Sequence, residues 1–165
     1  MHQHPINLHP ISLHPAKMLR TISRLIVGLL LALTFTACSS SEKLVLHTKT
    51  GDIAISVDVA DTNQSRARGL MFVQSLADDK GMLFDFQQTR EVSFWMRNTF
   101  IPLDMIFIAA DGEIKHIHPN ARPHDETGIS SQFPVRFVLE IGGGRAAEMG
   151  LEIGDSISHP LVESN

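Results

Sequence analysis

From Leu44 onward apolar and polar positions alternate along the chain. Leu44, Leu46 and Thr48 fall on one side of an extended segment, and Ile53, Ile55, Val57 and Val59 follow with the same period of two. That spacing predicts a hairpin with one buried face around the turn Thr50-Gly51-Asp52. The period then breaks. Asp61 or Thr62 can cap a short charged helix over 63–68, with Gly69 able to stop it in the left-handed region. Arg66 to Arg68 reads there as a solvated face. Met82 to Phe86 returns to strand, and Val92, Phe94 and Met96 alternate with Ser93, Trp95 and Arg97 in a further strand. Trp95 and Arg97 are therefore expected on the face opposite Phe94 and Met96. Met105 to Ala109 and Glu113 to Ile117 flank Ala110-Asp111-Gly112, a hairpin signal because Asp-Gly accepts the positive φ of a tight turn. Val135 to Ile141 forms another strand, broken by Gly142-Gly143-Gly144. Arg145 to Met149 supplies one helical turn closed by Gly150, and Glu152 to Ser158 a last strand. Seven or eight short strands with one or two short helices predict a mainly β fold, a small β-sandwich or partly closed barrel.

The first forty residues have a different grammar. Residues 1–17 repeat His-Pro pairs at His4, His9 and His14 and contain no carboxylate, which marks a low-complexity tail rather than a metal site. Met18 is an alternative start. Residues 18–37 then read as a signal: Lys17, Arg20 and Arg24 are followed by an apolar run from Leu25 to Phe35 and by small residues. The run falls short of the ~20 residues a spanning helix needs. Its end at Cys38 resembles a bacterial lipoprotein signal, although Phe35 stands where Leu is usual. Cys38, the chain's one cysteine, is thus expected to carry a lipid rather than to act as a thiol. A tether over 38–43, a single domain over 44–160 and a tail over 161–165 complete the predicted organisation.

Charge narrows the partners. Lys17, Arg20 and Arg24 are three of fourteen basic residues, whereas all eighteen acids follow Cys38. The exported part is therefore acidic, which argues against nucleic acid and against adhesion to an anionic membrane by charge. With its cysteine lipidated the domain has no disulfide, so its stability must come from burial.

Six segments stand out in fixed order: Arg68-Gly69-Leu70-Met71-Phe72, Gly81 to Phe84, Phe94-Trp95-Met96-Arg97-Asn98-Thr99, Ile101-Pro102-Leu103-Asp104, Val138-Leu139-Glu140 and Gly154-Asp155. Over Leu44 to Ser158 the chain resembles the family known as domain of unknown function 192, exported proteins of bacteria and archaea in which Lys is common at the position of Arg97. The resemblance implies a jelly-roll-like β-sandwich and carries no activity or catalytic residue with it.

The chemistry concentrates at Trp95, Arg97, Asn98, Thr99 and Asp104. An aromatic body beside a guanidinium, amide, hydroxyl and carboxylate suits a pocket for a small polar molecule or sugar. The competing reading puts Trp95 in the second face of the sheet and makes Asp104 an acceptor for loop amides. Two enzymatic alternatives are weaker. Asp104 and Glu140 could act as paired carboxylates of a hydrolase, and His116 and His118, two imidazoles on one strand face, could bind a metal but lack a spaced carboxylate. Met71, Met82, Met96, Met105 and Met149 read as core filling rather than a copper site. No serine-nucleophile elbow is present. The sequence therefore points to an exported, lipid-anchored envelope protein, with outer-membrane placement preferred. It binds a small molecule, saccharide or envelope partner and needs neither metal nor cofactor.

Overall fold

The computed structural model describes residues 41–163, so the His-Pro tail, the signal and Cys38 lie outside the described residues. Strands β1 (Glu42–Thr48) and β2 (Gly51–Ala60) form the expected hairpin. Its turn is Lys49–Thr50 rather than 50–52, because the Thr48 hydroxyl donates to the Gly51 carbonyl at 2.9 Å and accepts from the Thr50 amide at 3.1 Å. Helix α1 (Asn63–Arg68) is capped by Thr62, which exchanges bonds with Ser65 in a capping box. Then follow β3 (Lys80–Arg90), β4 (Ser93–Phe94), β5 (Leu103–Ile108), β6 (Ile114–Ala121), β7 (Ile129–Ser130) and β8 (Val135–Gly142). Helix α2 (Arg145–Glu148), β9 (Ser156–Ser158) and helix α3 (Pro160–Glu163) end the described chain. Among the described residues no helix is long and apolar enough to cross a membrane.

Seven strands make one sheet in the order β6-β5-β8-β3-β2-β1-β9, while β4 and β7 pair separately. Every neighbour in the large sheet is antiparallel except β2 and β3, whose crossover contains α1. The two edges of the sheet meet. The Ile114 amide donates to Asp155 at 2.8 Å and the Ile157 amide to Gly112 at 2.9 Å, so the sheet curls into the partly closed barrel that the strand count predicted. Gly112 is required twice at this seam. Its φ is +91°, and a Cβ there would sit 2.7 Å from the Ile157 carbonyl.

Alternation sorts the strand residues into two cores. Leu44, Ile55, Leu83, Ile106, Phe137 and Leu139 fill the inside of the curl. Phe84, Met105, Phe107 and Val138 face outward and would be solvated in a bare barrel. They are covered instead by Leu70, Val92, Met96 and half-buried Phe94, Ile101 and Ile129 from the loops around α1, β4 and β7. The central strands are consequently buried on both faces, which is why β5 reads as a continuous apolar run apart from Asp104.

Three local expectations change. The strand over Val92 to Met96 shrinks to two residues, because the Met96 amide bonds to Asp125 and Asn98 turns the chain at φ +57°. The last strand loses its first half to a turn in which Asp155 accepts from the Glu152 amide at 2.9 Å. Strand β7 and helix α3 are short elements without periodic signal.

Asp104 is fully buried and ties distant segments together. Its carboxylate accepts from the amides of Asn120 at 2.8 Å, Gly144 at 2.9 Å and Ala146 at 2.8 Å, joining β5 to the end of β6 and to the start of α2. Its partners are thus not the loop amides around 98–101 that the sequence suggested. Asp104→Asn keeps the shape but turns one acceptor into a donor facing an amide. Urea unfolding should show a loss of about 2–3 kcal/mol, and an unchanged midpoint would contradict this assignment.

Candidate functional site

A pocket of about 320 Å³ opens on the outer face of the sheet, between β3, β8 and the segments that cover them. Glu140 forms part of its wall. The register pairs Met105 with Glu140 and Asp104 with Ile141, so adjacent residues on β5 and β8 point to opposite faces. Glu140 therefore projects outward beneath the cover, whereas Asp104 projects to the inner side. The two carboxylates are not brought together.

Glu140 is 4% exposed, and its Oε2 has no hydrogen-bond partner. Burial pushes its carboxyl up to about 8, so at neutral pH it is mostly a neutral acid. Gly69 is the close cover. It follows α1 with φ +48° and ψ −138°, outside the left-handed helical region expected of it and accessible in practice to glycine. A Cβ there would lie 3.2 Å from the Phe84 ring and 3.8 Å from Glu140 Oε2. Any side chain at this position would fill the space over the carboxyl.

Aromatic rings build the apolar wall. Phe94 meets Phe84 at 5.1 Å and Phe86 at 6.1 Å, both edge to face. Around them stand four guanidiniums, of Arg66, Arg68, Arg90 and Arg97. Arg66 is structural rather than part of a solvated face: it donates to the carbonyls of Asp61 at 2.5 Å and Asp85 at 2.7 Å, clamping α1 onto β3. The Asp85 carboxyl is itself buried, which would raise its pKa, but two bonds from Arg136 and one from the Gln87 amide hold it below the usual carboxylate range. The guanidiniums of Arg68, Arg90 and Arg97 make no hydrogen bond or ion pair with other described residues. Arg90 rests on Phe86 at 5.1 Å and Arg97 on Trp95 at 4.2 Å.

Of the sequence candidates, Trp95, Arg97 and Thr99 line this pocket. Met96 is buried and Trp95 and Arg97 are exposed, so the expected alternation survives the loss of the strand. Asn98 is a turn residue whose carbonyl accepts from the Phe72 amide at 2.9 Å. His116 and His118 share the outward face of β6 with Met105 and Phe107, in a separate cleft with Asp125 and Gln132. His116 stacks on Phe107 at 5.5 Å. Burial first, and the charge of His118 second, lower its pKa. Among the described residues no three His, Cys, Asp or Glu side chains come together as a metal site. Arg68, Gly69 and Arg90 were missed as site residues; the signal was the segment Arg68-Gly69-Leu70-Met71-Phe72, which meets Trp95-to-Thr99 and Glu140 only in the folded chain.

The class defined so far is a β-rich domain with a partly closed sheet and one lidded, arginine-rimmed pocket. The chain belongs to the family of domain of unknown function 192, described as uncharacterized ACR, whose model matches residues 45–159. Among solved structures it resembles a protein of Sinorhizobium meliloti 1021 provisionally assigned as a transcription regulator, with 44% identity over 73% of this chain and 94% of that one, and a TM-score of 0.71. It is similar as well to a protein of unknown function from Novosphingobium aromaticivorans DSM 12444, at 38% identity over 72% of this chain and 85% of that one, again with a TM-score of 0.71. The curated proteins contain no match.

Glu140 makes stability depend on pH. An unfolded glutamate titrates near 4.5 and the folded one near 8. Between those values the folded chain holds a proton that the unfolded chain has released, so this group lowers stability progressively from pH 4.5 to 8 and no further above that. Glu140→Gln should therefore exceed the parent by a few kcal/mol, on the order expected for such a shift, at pH 9 and converge toward it at pH 5. Parallel urea-unfolding profiles for the two proteins would contradict a buried acid.

Trp95 is 48% exposed. Trp95→Ala should cost less than about 1 kcal/mol, against the ~3–5 kcal/mol of a core tryptophan. Thermal unfolding of the variant measures the difference, and a core-sized loss would return Trp95 to the scaffold.

Proposed function

We propose that this domain is a binding module that holds a small molecule in the pocket between Trp95 and Glu140. The observation that carries the reading is the buried carboxyl of Glu140, its Oε2 unpartnered, in a cavity walled by aromatic rings and rimmed by arginines. Burying a polar group without a partner costs free energy, and a ligand that supplies the missing hydrogen bond recovers it. An apolar cavity with few placed polar groups is also how small ligands are oriented.

Binding is favoured over hydrolysis because Glu140 lacks a second carboxylate: Asp104 faces the other side of the sheet and is committed to three amides. A saccharide is less suited than a compact molecule with an apolar body and few polar groups, since one face of Trp95 is taken by the Arg97 guanidinium. The regulator assignment of the Sinorhizobium relative finds no support in this chain's charge, because its acids outnumber its basic residues. We place the module in the cell envelope, exported and lipid-anchored at Cys38 in the outer membrane. Export and anchoring rest on the apolar run and small residues preceding the cysteine, and the outer membrane on Ser39 and Ser40 following it in place of an Asp.

A fragment screen by ligand-observed NMR tests the pocket. Hits should compete with one another and weaken in Trp95→Ala while the fold is retained. A screen whose hits ignore both Trp95→Ala and Glu140→Ala would remove the site. Fatty-acid labelling tests the anchor independently: Cys38→Ser should abolish the label and release the protein from membranes.

A further inference from the structure

Resting on the small-molecule reading above, we infer that the ligand is an amphiphilic organic anion: an apolar body lying against Phe84, Phe86 and Phe94, with an oxyanion head held at the mouth by Arg68, Arg90 and Arg97.

Three features of the pocket support this. First, its lining contains four arginines and one acid, in a chain where acids outnumber basic residues. Cations on an acidic surface are ordinarily dispersed among carboxylates, yet here none of the three mouth arginines has an acidic partner among the described residues. Second, two of them are held in place without being neutralised. Arg90 lies over Phe86 and Arg97 over Trp95, contacts that fix a guanidinium plane but leave its N–H donors available. A planar fork with unspent donors matches a carboxylate or phosphate in bidentate fashion. Third, the one acid of the lining does not oppose an anion. Glu140 is buried beneath Gly69 and Phe84 with Oε2 unpartnered, and its sheet neighbours Met82 and Met105 are uncharged. Burial keeps it protonated at neutral pH, so it offers an O–H donor. Were the pocket built for a cation, the acid would be exposed at the mouth and the arginines absent.

A series with one apolar body and four heads tests the assignment on the full chain: 3-phenylpropionate, 3-phenylpropyl phosphate, 3-phenylpropanamide and 3-phenylpropylamine, measured by saturation-transfer NMR and equilibrium dialysis. The two anions should bind about tenfold or more tightly than the amide, with the amine weaker still. The tighter of the two anions identifies the head as carboxylate or phosphate. Arg97→Gln and Arg68→Gln, both at exposed positions, should each weaken the anions severalfold and leave the amide unchanged. Glu140→Gln, which keeps a neutral donor, should retain the anions. Equal binding of amide or amine, or anion affinity indifferent to both arginine variants, would overturn the anionic ligand and leave the pocket standing. Binding of none of the four would overturn the pocket reading as well.

Discussion

Everything in this domain follows from the need to bury β3, β8 and β5 on both faces. The inward side chains of these strands close the curl, with Phe137, Leu139 and Ile106 at its centre. Their outward side chains are as apolar, Phe84, Phe107 and Val138 among them, and cannot be left to water. The segments around α1, β4 and β7 exist to cover them. A cover made of loops leaves gaps where two loops meet, and the gap between the Arg68–Phe72 segment and the Trp95–Thr99 segment is the pocket.

Glu140 shows how that constraint acquires chemistry. It occupies an outward position in a strand whose preceding outward residue, Val138, is core. An aliphatic residue there would be accommodated without penalty. A carboxyl instead loses its water and keeps its proton. The cover meanwhile contributes cations from separate elements, Arg68 after α1, Arg90 at the end of β3 and Arg97 after β4, so the mouth is charged where the floor is neutral. Asp104, one strand away, illustrates the other fate of a buried carboxylate. Three amides satisfy it, and it acts as a structural pin.

How much of this could be read from the chain depends on the range of each interaction. Leu44 to Thr48 and Ile53 to Val59 announced their hairpin because alternation is written in neighbouring residues. Trp95 and Arg97 kept their side of the chain for the same reason, even though their strand contracted. That strand's extent was hidden because its partner is Ile129–Ser130, two residues with no periodicity of their own. The partners of Asp104 were equally invisible, lying 16, 40 and 42 residues away. Glu140 could be noticed in an apolar run, but its direction required the β5–β8 register and its burial required Gly69. Of the arginines at the mouth only Arg97 could be picked out, beside Trp95; Arg68 looked like a solvated charge and Arg90 carried no signal, since nothing in sequence separation brings the three together.

Glu140 stands in the pocket as a buried, uncharged acid. Carbon-13 NMR of the protein labelled at glutamate side-chain carboxyls, titrated from pH 4 to 10, measures that charge directly. One glutamate resonance, absent in Glu140→Gln, should titrate with its midpoint near pH 8. A Glu140 carboxyl already ionised at pH 6 would contradict it.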